Sequence, residues 1–361
     1  MRKQNIKIAI NLKYKLIAWL HFLVFNVMHL FTDDEKILSK LTEKGNPLER
    51  LDAVMDWQLF LPLLSELFSR KNKVIGRGGR PHLDYLMMFK VLLLQRLHNL
   101  SDDAMEYQLL DRLSFRRFVG CHEDNVPDSK TIWLYRDRLT QSGREKELFD
   151  LFYTQLSDEG LIAHTGQIVD ASFVECPKQR NSREENEKIK AHETVEGWNK
   201  AKRCQKDIDG SWTQKGGVRY FGYKNHVCVD RKSKLIKDYG VTTASIHDSN
   251  VLASLCDANE PVFDDSAYVG KSVPDNCQHH TVRRAFRNKP LTDTDKNINR
   301  HIAKVRCRVE HVFGFIENSM KGSTFRGIGM DRAKTNVTLT NLLYNIFRFE
   351  QIKRLGLKSW A

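Results

Sequence analysis

The stretch GQIVDASFV, residues 166–174, is a short apolar run interrupted by a single carboxylate, Asp170. A run of this kind predicts a buried β-strand. The pattern returns downstream and is followed by two long helical patterns, so the C-terminal part of the chain is predicted to be a mixed α/β layer structure. The further strands are predicted within 218–230, 234–245 and 262–270, and the helices at about 296–319 and 331–350.

Upstream of this strand, apolar residues recur at helical spacing, which predicts an all-helical N-terminal region over 46–145. Asn46 and Ser101 have the side chains of helix N-caps, and a further helix is predicted to begin at Asp128 or Ser129. The region is therefore predicted to be a succession of short helices.

The last of these short helices is basic, with Lys130, Arg136 and Arg138. Successive short helices that end in a basic one favour a helix-turn-helix-like DNA contact through these three residues. An all-helical packing domain carries equal weight, because basic residues on one helix are often only a solvated face.

Two segments depart from these patterns. Residues 1–45 are predicted to be an N-terminal extension with an apolar helix at 16–31, which is shorter than the ~20 residues of a membrane span. We expect this helix to pack on the protein rather than to anchor it in a membrane. Residues 177–216 are polar and rich in both charges, which predicts an inserted loop or arm rather than core.

The overall charge indicates the class of partner. The chain has 58 Lys and Arg against 45 Asp and Glu, a net charge of +13. A surplus of this size favours a polyanionic partner such as nucleic acid, although a merely basic enzyme fits it equally well. The seven cysteines are odd in number and form no Cys-x-x-Cys pair, which favours a cytosolic protein with reduced thiols over a disulfide framework.

Three carboxylates lie on apolar segments of the predicted α/β part: Asp170, Asp265 and Glu310. Taken singly, the aspartates could cap turns, and Glu310 could pair with Arg306 one helical turn earlier. Taken together in a basic chain, they favour a site for Mg²⁺, which Mn²⁺ can replace, because hard carboxylate oxygens suit these ions.

Several ordered motifs resemble those of one family. IVDASFV, YFGYKNHVCVD, VTTASIHDSNVL, DDSAYVG and RCRVEHVFGFIE are similar to the catalytic segments of DDE transposases of bacterial insertion sequences, in the group named for insertion sequence five. NPLERLDAVMDW, LMMFKVLLLQRLHNLSDDAMEYQLLDRLSFRRFVG and VPDSKTIWLYRDRL resemble the family's N-terminal helical region. The resemblance therefore extends over nearly everything after about residue 45.

The resemblance implies a fold and a site. The fold is an RNase H-like mixed sheet flanked by helices, here in a catalytic domain over 160–350. The catalytic and metal-binding acids are Asp170, Asp265 and Glu310. Arg306 matches the family signature around the glutamate and is implied to contact DNA.

The family signature is incomplete in this chain. Ala303 stands where the signature has tyrosine, and Glu317 stands where it has lysine. Those two residues contact DNA in the family, so Lys321 or Arg326 is the candidate replacement.

The resulting hypothesis is a transposase that binds the terminal inverted repeats of its mobile element, cleaves the strands and joins them to target DNA. It would act as a homodimer or a larger synaptic complex in the cytoplasm, associated with the nucleoid. The alternatives are an inactive or domesticated DNA-binding protein and a nuclease without strand transfer.

Overall fold

The computed structural model describes most of the chain. The described residues are 34–68, 83–122, 125–191, 193–270, 273–274, 276–287 and 289–357. The predicted apolar helix at 16–31 lies outside them. Within the described residues, no helix combines the length and the apolar character needed to cross a membrane.

The N-terminal region is helical, as predicted. Asn46, Ser101 and Asp128 are confirmed as N-caps, because their side chains accept hydrogen bonds from Leu48 N, Ala104 N and Thr131 N at 3.1, 3.2 and 2.6 Å. The helices are α1 (Pro47–Val54), α2 (Leu61–Phe68), α3 (Tyr85–Leu97), α4 (Asp102–Asp111), α5 (Leu113–Val119), α6 (Ser129–Ser142) and α7 (Glu145–Asp158).

A mixed sheet follows, and its predicted strands are confirmed. The strands are β1 (Gln167–Glu175), β2 (Ser211–Lys215), β3 (Val218–Asp230), β4 (Ile236–Thr243), β5 (Val262–Asp264) and β6 (His279–Thr281). β1 is antiparallel to β3 and parallel to β5, and β6 extends the sheet in parallel beyond β5. β2 and β4 both pair with β3, at opposite ends of it.

The polar segment 177–216 is more ordered than the predicted loop or arm. It contains the short helices α8 (Arg183–Lys190) and α9 (Lys200–Gln205), and it ends in β2, which is an edge strand of the sheet. A capping box at Ser182 and Glu185 begins α8. Periodicity failed here because both helices are short and expose all faces, so they lack an apolar stripe.

Gly222 allows β3 to approach the end of β1. It has φ of +139°, and a Cβ there would lie 2.4 Å from the carbonyl oxygen of Val174. A side chain at this position would therefore separate β1 from β3. At the same position the other neighbour of β3 changes from β2 to β4.

Two long helices complete the fold. After the single-turn α10 (Leu252–Leu255), α11 (Asp293–Met320) and α12 (Met330–Arg354) lie close to the predicted helices. On α12, Asn341 exchanges two hydrogen bonds with Asn225 of β3, and Asn345 bonds both backbone groups of Ile236 in β4. These buried amides fix the register of α12 on the sheet.

The helical region and the sheet share one hydrophobic core. The buried cluster contains Leu92 and Phe152 from the N-terminal helices, Ile168 from β1 and Leu342 from α12. α12 contacts α1, α3, α6 and α7 as well as β4. The N-terminal helices are thus packed onto the α/β part through α12.

Candidate active site

The register of the sheet aligns two of the three predicted acids. β1 and β5 are parallel, with Gln167 opposite Val262 and Ile168 opposite Phe263. Continuing this register by two residues places Asp170 level with Asp265, on strands about 4.8 Å apart. Both side chains then point to the same face of the sheet, because successive residues of a strand alternate between faces.

That face is covered by α11, the helix that carries the third acid. Ile168 and Phe263 precede the two aspartates by two residues, and they share a buried cluster with Val305 and Val309 of α11. Asp170 and Asp265 therefore lie at the end of this apolar contact, where the strands leave the core.

Arg306 of α11 contacts Asp170 directly. Its Nη2 donates to Asp170 Oδ2 at 2.8 Å, and both side chains are largely buried. The sequence had left open an ion pair between Arg306 and Glu310. The structure instead pairs Arg306 with Asp170 of β1. Burial raises the pKa of Asp170, although the neighbouring Arg306 guanidinium opposes this shift.

Glu310 lies one helical turn beyond Arg306 and is exposed. Residues four apart lie on the same side of a helix, so Glu310 is on the side of α11 that meets Asp170. The side-chain oxygens of Asp170, Asp265 and Glu310 are not all within 4.8 Å of one another. Carboxylates that approach within about 4.8 Å repel one another unless a cation lies between them. We refer to these three residues together with Arg306 as the acid site.

Asp264 and Asp248 lie beside the acid site but have structural partners. Asp264 faces the opposite side of the sheet, where its Oδ2 is 2.5 Å from Nε2 of His279. Asp248 accepts a hydrogen bond from Lys224 Nζ at 2.8 Å. Alternation along β5 therefore distinguishes the adjacent aspartates at 264 and 265.

The predicted DNA-binding residues of α6 do not form one face. Successive helical residues are rotated by about 100°, which places Lys130, Arg136 and Arg138 on different sides of α6. Lys130 is exposed. Arg136 makes a two-pronged ion pair with Asp102, and Arg138 donates to the carbonyl of Phe68 at 3.3 Å.

The remaining predicted contact residues lie on or after α11. Lys321 is exposed and ends the helix in a left-handed conformation, with φ of +49°. Arg326 is exposed in the segment that follows. Ala303 and Glu317 are both exposed on α11.

One group of possible metal ligands was missed from the sequence. Within the described part of the chain, the only three His, Cys, Asp or Glu side chains with ligand atoms within 4.8 Å of one another are His164, Asp257 and Glu260. The ammonium of Lys237 already contacts Asp257 and Glu260 at 2.5 and 2.8 Å. A bound cation would have to compete with this lysine, so the acid site is the better candidate for a metal.

Comparison with known proteins identifies the family. The family model described as "Transposase domain (DUF772)" matches residues 36–138, and "Transposase DDE domain" matches residues 163–346, more than half of the chain. The chain therefore belongs to the DDE transposase family. Its motifs indicated this family, while its assignment to the insertion-sequence-five group stays a prediction.

A solved structure is also similar to the chain. It is the cryo-EM structure of the piggyBac transposase synaptic complex with hairpin DNA, at 9% identity and a TM-score of 0.44. The match covers 87% of this chain and 77% of that one. The strand order of this protein, β4-β3-β1-β5-β6 with β1 antiparallel to β3 and parallel to β5, is that of the RNase H-like core implied by the motifs.

Proposed function

We propose that this protein binds the terminal inverted repeats of its own mobile element, cleaves the DNA strands there and joins the ends to target DNA. The observation that carries the proposal is the common register and common face of Asp170 and Asp265, beneath the helix that carries Glu310. Membership of the DDE transposase family supports the same reaction class.

The residues of the acid site fit a divalent metal. Its three carboxylates supply the hard oxygen ligands that Mg²⁺ and Mn²⁺ prefer over sulfur or imidazole ligands. We propose that Asp170, Asp265 and Glu310 would hold two such ions. When bound, the ions would lower the pKa of an attacking hydroxyl group and neutralise the charge that develops on the leaving oxygen.

Arg306 has a positioning role in this proposal. Its hydrogen bond fixes the orientation of the Asp170 carboxylate, and its charge opposes the burial that raises the pKa of Asp170. It therefore helps to keep Asp170 ionised, which a metal ligand requires. Arg306 also carries a second donor, Nε, that is buried without a partner in the described structure.

The chemical steps are two successive phosphoryl transfers. In the first, a water oxygen bonds to the phosphorus at the element's end, and the 3′ oxygen of the strand leaves and takes up a proton. In the second, this 3′-hydroxyl bonds to a phosphorus of the target strand and displaces the target's own 3′ oxygen. The chain forms no bond to DNA in either step, so its contribution is positioning and charge stabilisation. Two ends must be held together, which favours a homodimer or a larger assembly.

The test is a cleavage and strand-transfer assay on DNA that carries the element's own ends, with Mg²⁺ or Mn²⁺. We expect Asp170→Asn, Asp265→Asn and Glu310→Gln each to lower cleavage by at least about 100-fold, the order of effect seen when one charge-stabilising group is removed from an enzyme site. Binding to the ends should persist in all three variants.

Glu317→Gln is the matched control, because Glu317 is an exposed glutamate two turns further along α11. It should cleave like the parent protein. Full cleavage by Glu310→Gln would overturn the assignment. Cleavage without joining would indicate a nuclease, and binding without cleavage by the parent would indicate a protein that only binds DNA.

A further inference from the structure

A cavity of about 280 Å³ lies between the N-terminal helices and α12, away from the acid site. We call it the interhelical cavity. Its walls come from α3, α6 and α12 and from the segment 325–327. The side chains used below are Arg96, Trp133, Arg136, Arg326, Arg332 and Asn336.

Arg96 gives this cavity a buried cation. The residue is only 6% exposed, and it has no carboxylate partner among the described residues. Its Nη1 donates to the side-chain oxygens of Asn99 and Asn336 at 3.2 Å, and its Nη2 donates to the carbonyls of Met320 and Lys321 at 3.3 and 3.2 Å. These four acceptors are neutral, so the charge itself is not compensated. Burial lowers the pKa of Arg96 to about 10, which leaves it positive at neutral pH.

Two donors in the cavity wall are buried without acceptors. They are Nε of Arg96 and the side-chain nitrogen of Asn336. The orientation of the Asn336 amide follows from its partner, because arginine can only donate and must therefore face the amide oxygen. A buried donor without an acceptor costs about 1–3 kcal/mol, so the cavity suits a ligand that brings acceptor oxygens.

The rim of the cavity adds charge and an aromatic ring. Arg326 and Arg332 are exposed there, and Trp133 is 47% exposed. Arg136 is neutralised by Asp102, and Arg332 lies 3.7 Å from Asp137, which leaves Arg96 and Arg326 without a carboxylate partner in the described structure. An exposed indole beside guanidinium groups is a common platform for a nucleobase next to its phosphate.

We propose that the interhelical cavity binds one backbone phosphate of DNA through Arg96, Asn336 and Arg326, with a neighbouring unpaired base stacked on Trp133. This inference rests on the proposed function and adds a contact outside the acid site. The cavity is joined to the sheet through Phe325, whose N–H donates to the carbonyl of Glu175 at the end of β1. Glu175 is five residues beyond Asp170, roughly 17 Å along the strand.

The test is the affinity for duplex DNA that carries the element's terminal sequence and a short single-stranded overhang, measured against salt concentration. We expect Asn336→Asp and Arg326→Ala each to weaken the affinity at least tenfold. The log–log salt slope should fall by about 0.9, the value for one lost phosphate contact. Trp133→Ala should weaken binding at least fivefold, and Trp133→Phe should restore most of it because the ring is retained.

The controls are Asn297→Asp and Arg300→Ala near the start of α11. These two exposed residues form a matching pair, because Arg300 Nη1 donates a hydrogen bond to Asn297 Oδ1 at 2.8 Å. Both should bind like the parent. Equal weakening by Asn297→Asp and Asn336→Asp would overturn the proposal, since the loss would then be a general effect of charge.

Neutral methylphosphonate linkages, placed one at a time in the DNA, identify the phosphate itself. A methylphosphonate at one position should weaken binding by the parent about tenfold. The same linkage should leave binding by the Asn336→Asp variant unchanged. If every position affects both proteins alike, the cavity does not hold a phosphate. A parent that binds the end DNA with no loss in Asn336→Asp would contradict only this inference, whereas a parent that binds no end DNA would contradict the proposed function as well.

Discussion

The acid site is rich in carboxylates, whereas the interhelical cavity contains a buried arginine. In the acid site, one arginine pairs with Asp170, whose strand lies beside the strand that ends just before Asp265. In the interhelical cavity, a buried arginine faces neutral acceptors, and two donors have no acceptor among the residues that the structure describes. The carboxylates of the first region suit a cation, and the unpaired donors of the second suit an anion.

The two regions also share one hydrophobic core, which leads to the largest expected change in stability. Leu342 of α12 is fully buried in the cluster that contains Ile168 of β1, two residues before Asp170, and Leu92, which lines the cavity. Leu342→Ala should lower the free energy of unfolding by about 2–5 kcal/mol, because it removes buried methyl groups and leaves a cavity. Chemical denaturation followed by circular dichroism and by tryptophan fluorescence would measure it.

Leu355→Ala is the control for this substitution, because Leu355 lies just after α12 and is 54% exposed. It should change stability by no more than about 0.5 kcal/mol. Two separate transitions in the Leu342→Ala protein, one for each region, would disprove the shared core.

A smaller effect is expected from the histidine beside the acid site. His226 of β3 pairs with Ala171, the residue after Asp170, and it is buried with its Nε2 2.8 Å from Thr242 Oγ1. Burial lowers its pKa to about 4. The unfolded chain therefore binds a proton between pH 6.5 and 4 that the folded protein does not, and stability should fall as the pH falls through this window.

The loss between pH 6.5 and 4 should not exceed about 3 kcal/mol. Denaturation at several pH values would measure it, and His226→Gln should flatten the slope within this window. An unchanged slope in the variant would assign the pH dependence to other groups.

The smallest change in stability is expected at Asp170. Its raised pKa means that the folded protein retains this proton to a higher pH than the unfolded chain. This contribution to stability is therefore present below the unfolded pKa and is lost as the pH rises through the folded pKa. Asp170→Asn should accordingly be as stable as the parent, or more stable, at neutral pH without metal.

The stability of Asp170→Asn also tests whether the ion pair between Arg306 and Asp170 stabilises the folded protein. If the ion pair with Asp170 outweighed the cost of burying the carboxylate, Asp170→Asn would be clearly less stable than the parent. Glu317→Gln serves again as the reference substitution, since its exposed side chain should have little effect on stability.

The residues of the acid site could be selected from local patterns and motifs, and their role as metal ligands stays a prediction. The apolar run at 166–174 predicted the strand that carries Asp170, and the motif resemblance selected Asp265 rather than Asp264. The helix with Glu310 followed from its apolar spacing. The partner of Arg306 was not predictable, because a contact between a helix and a strand 136 residues earlier has no local signal.

The interhelical cavity could not be predicted for the same physical reason. Arg96 and Asn336 are 240 residues apart and meet only when α12 packs on α3. Arg136 illustrates the converse error. It was selected for DNA contact because it is basic, and the fold instead pairs it with Asp102 from another helix. Charge in a sequence does not reveal which cations the fold neutralises.

The central claim is that the acid site, and not another cluster of ligands, holds the divalent metal. Anomalous diffraction from crystals of the protein grown with Mn²⁺ and end DNA tests it most directly. We expect density beside the carboxylates of Asp170, Asp265 and Glu310, at the roughly 2.1 Å typical of these oxygen–metal bonds. Density at His164, Asp257 and Glu260 with none at the acid site would contradict the account.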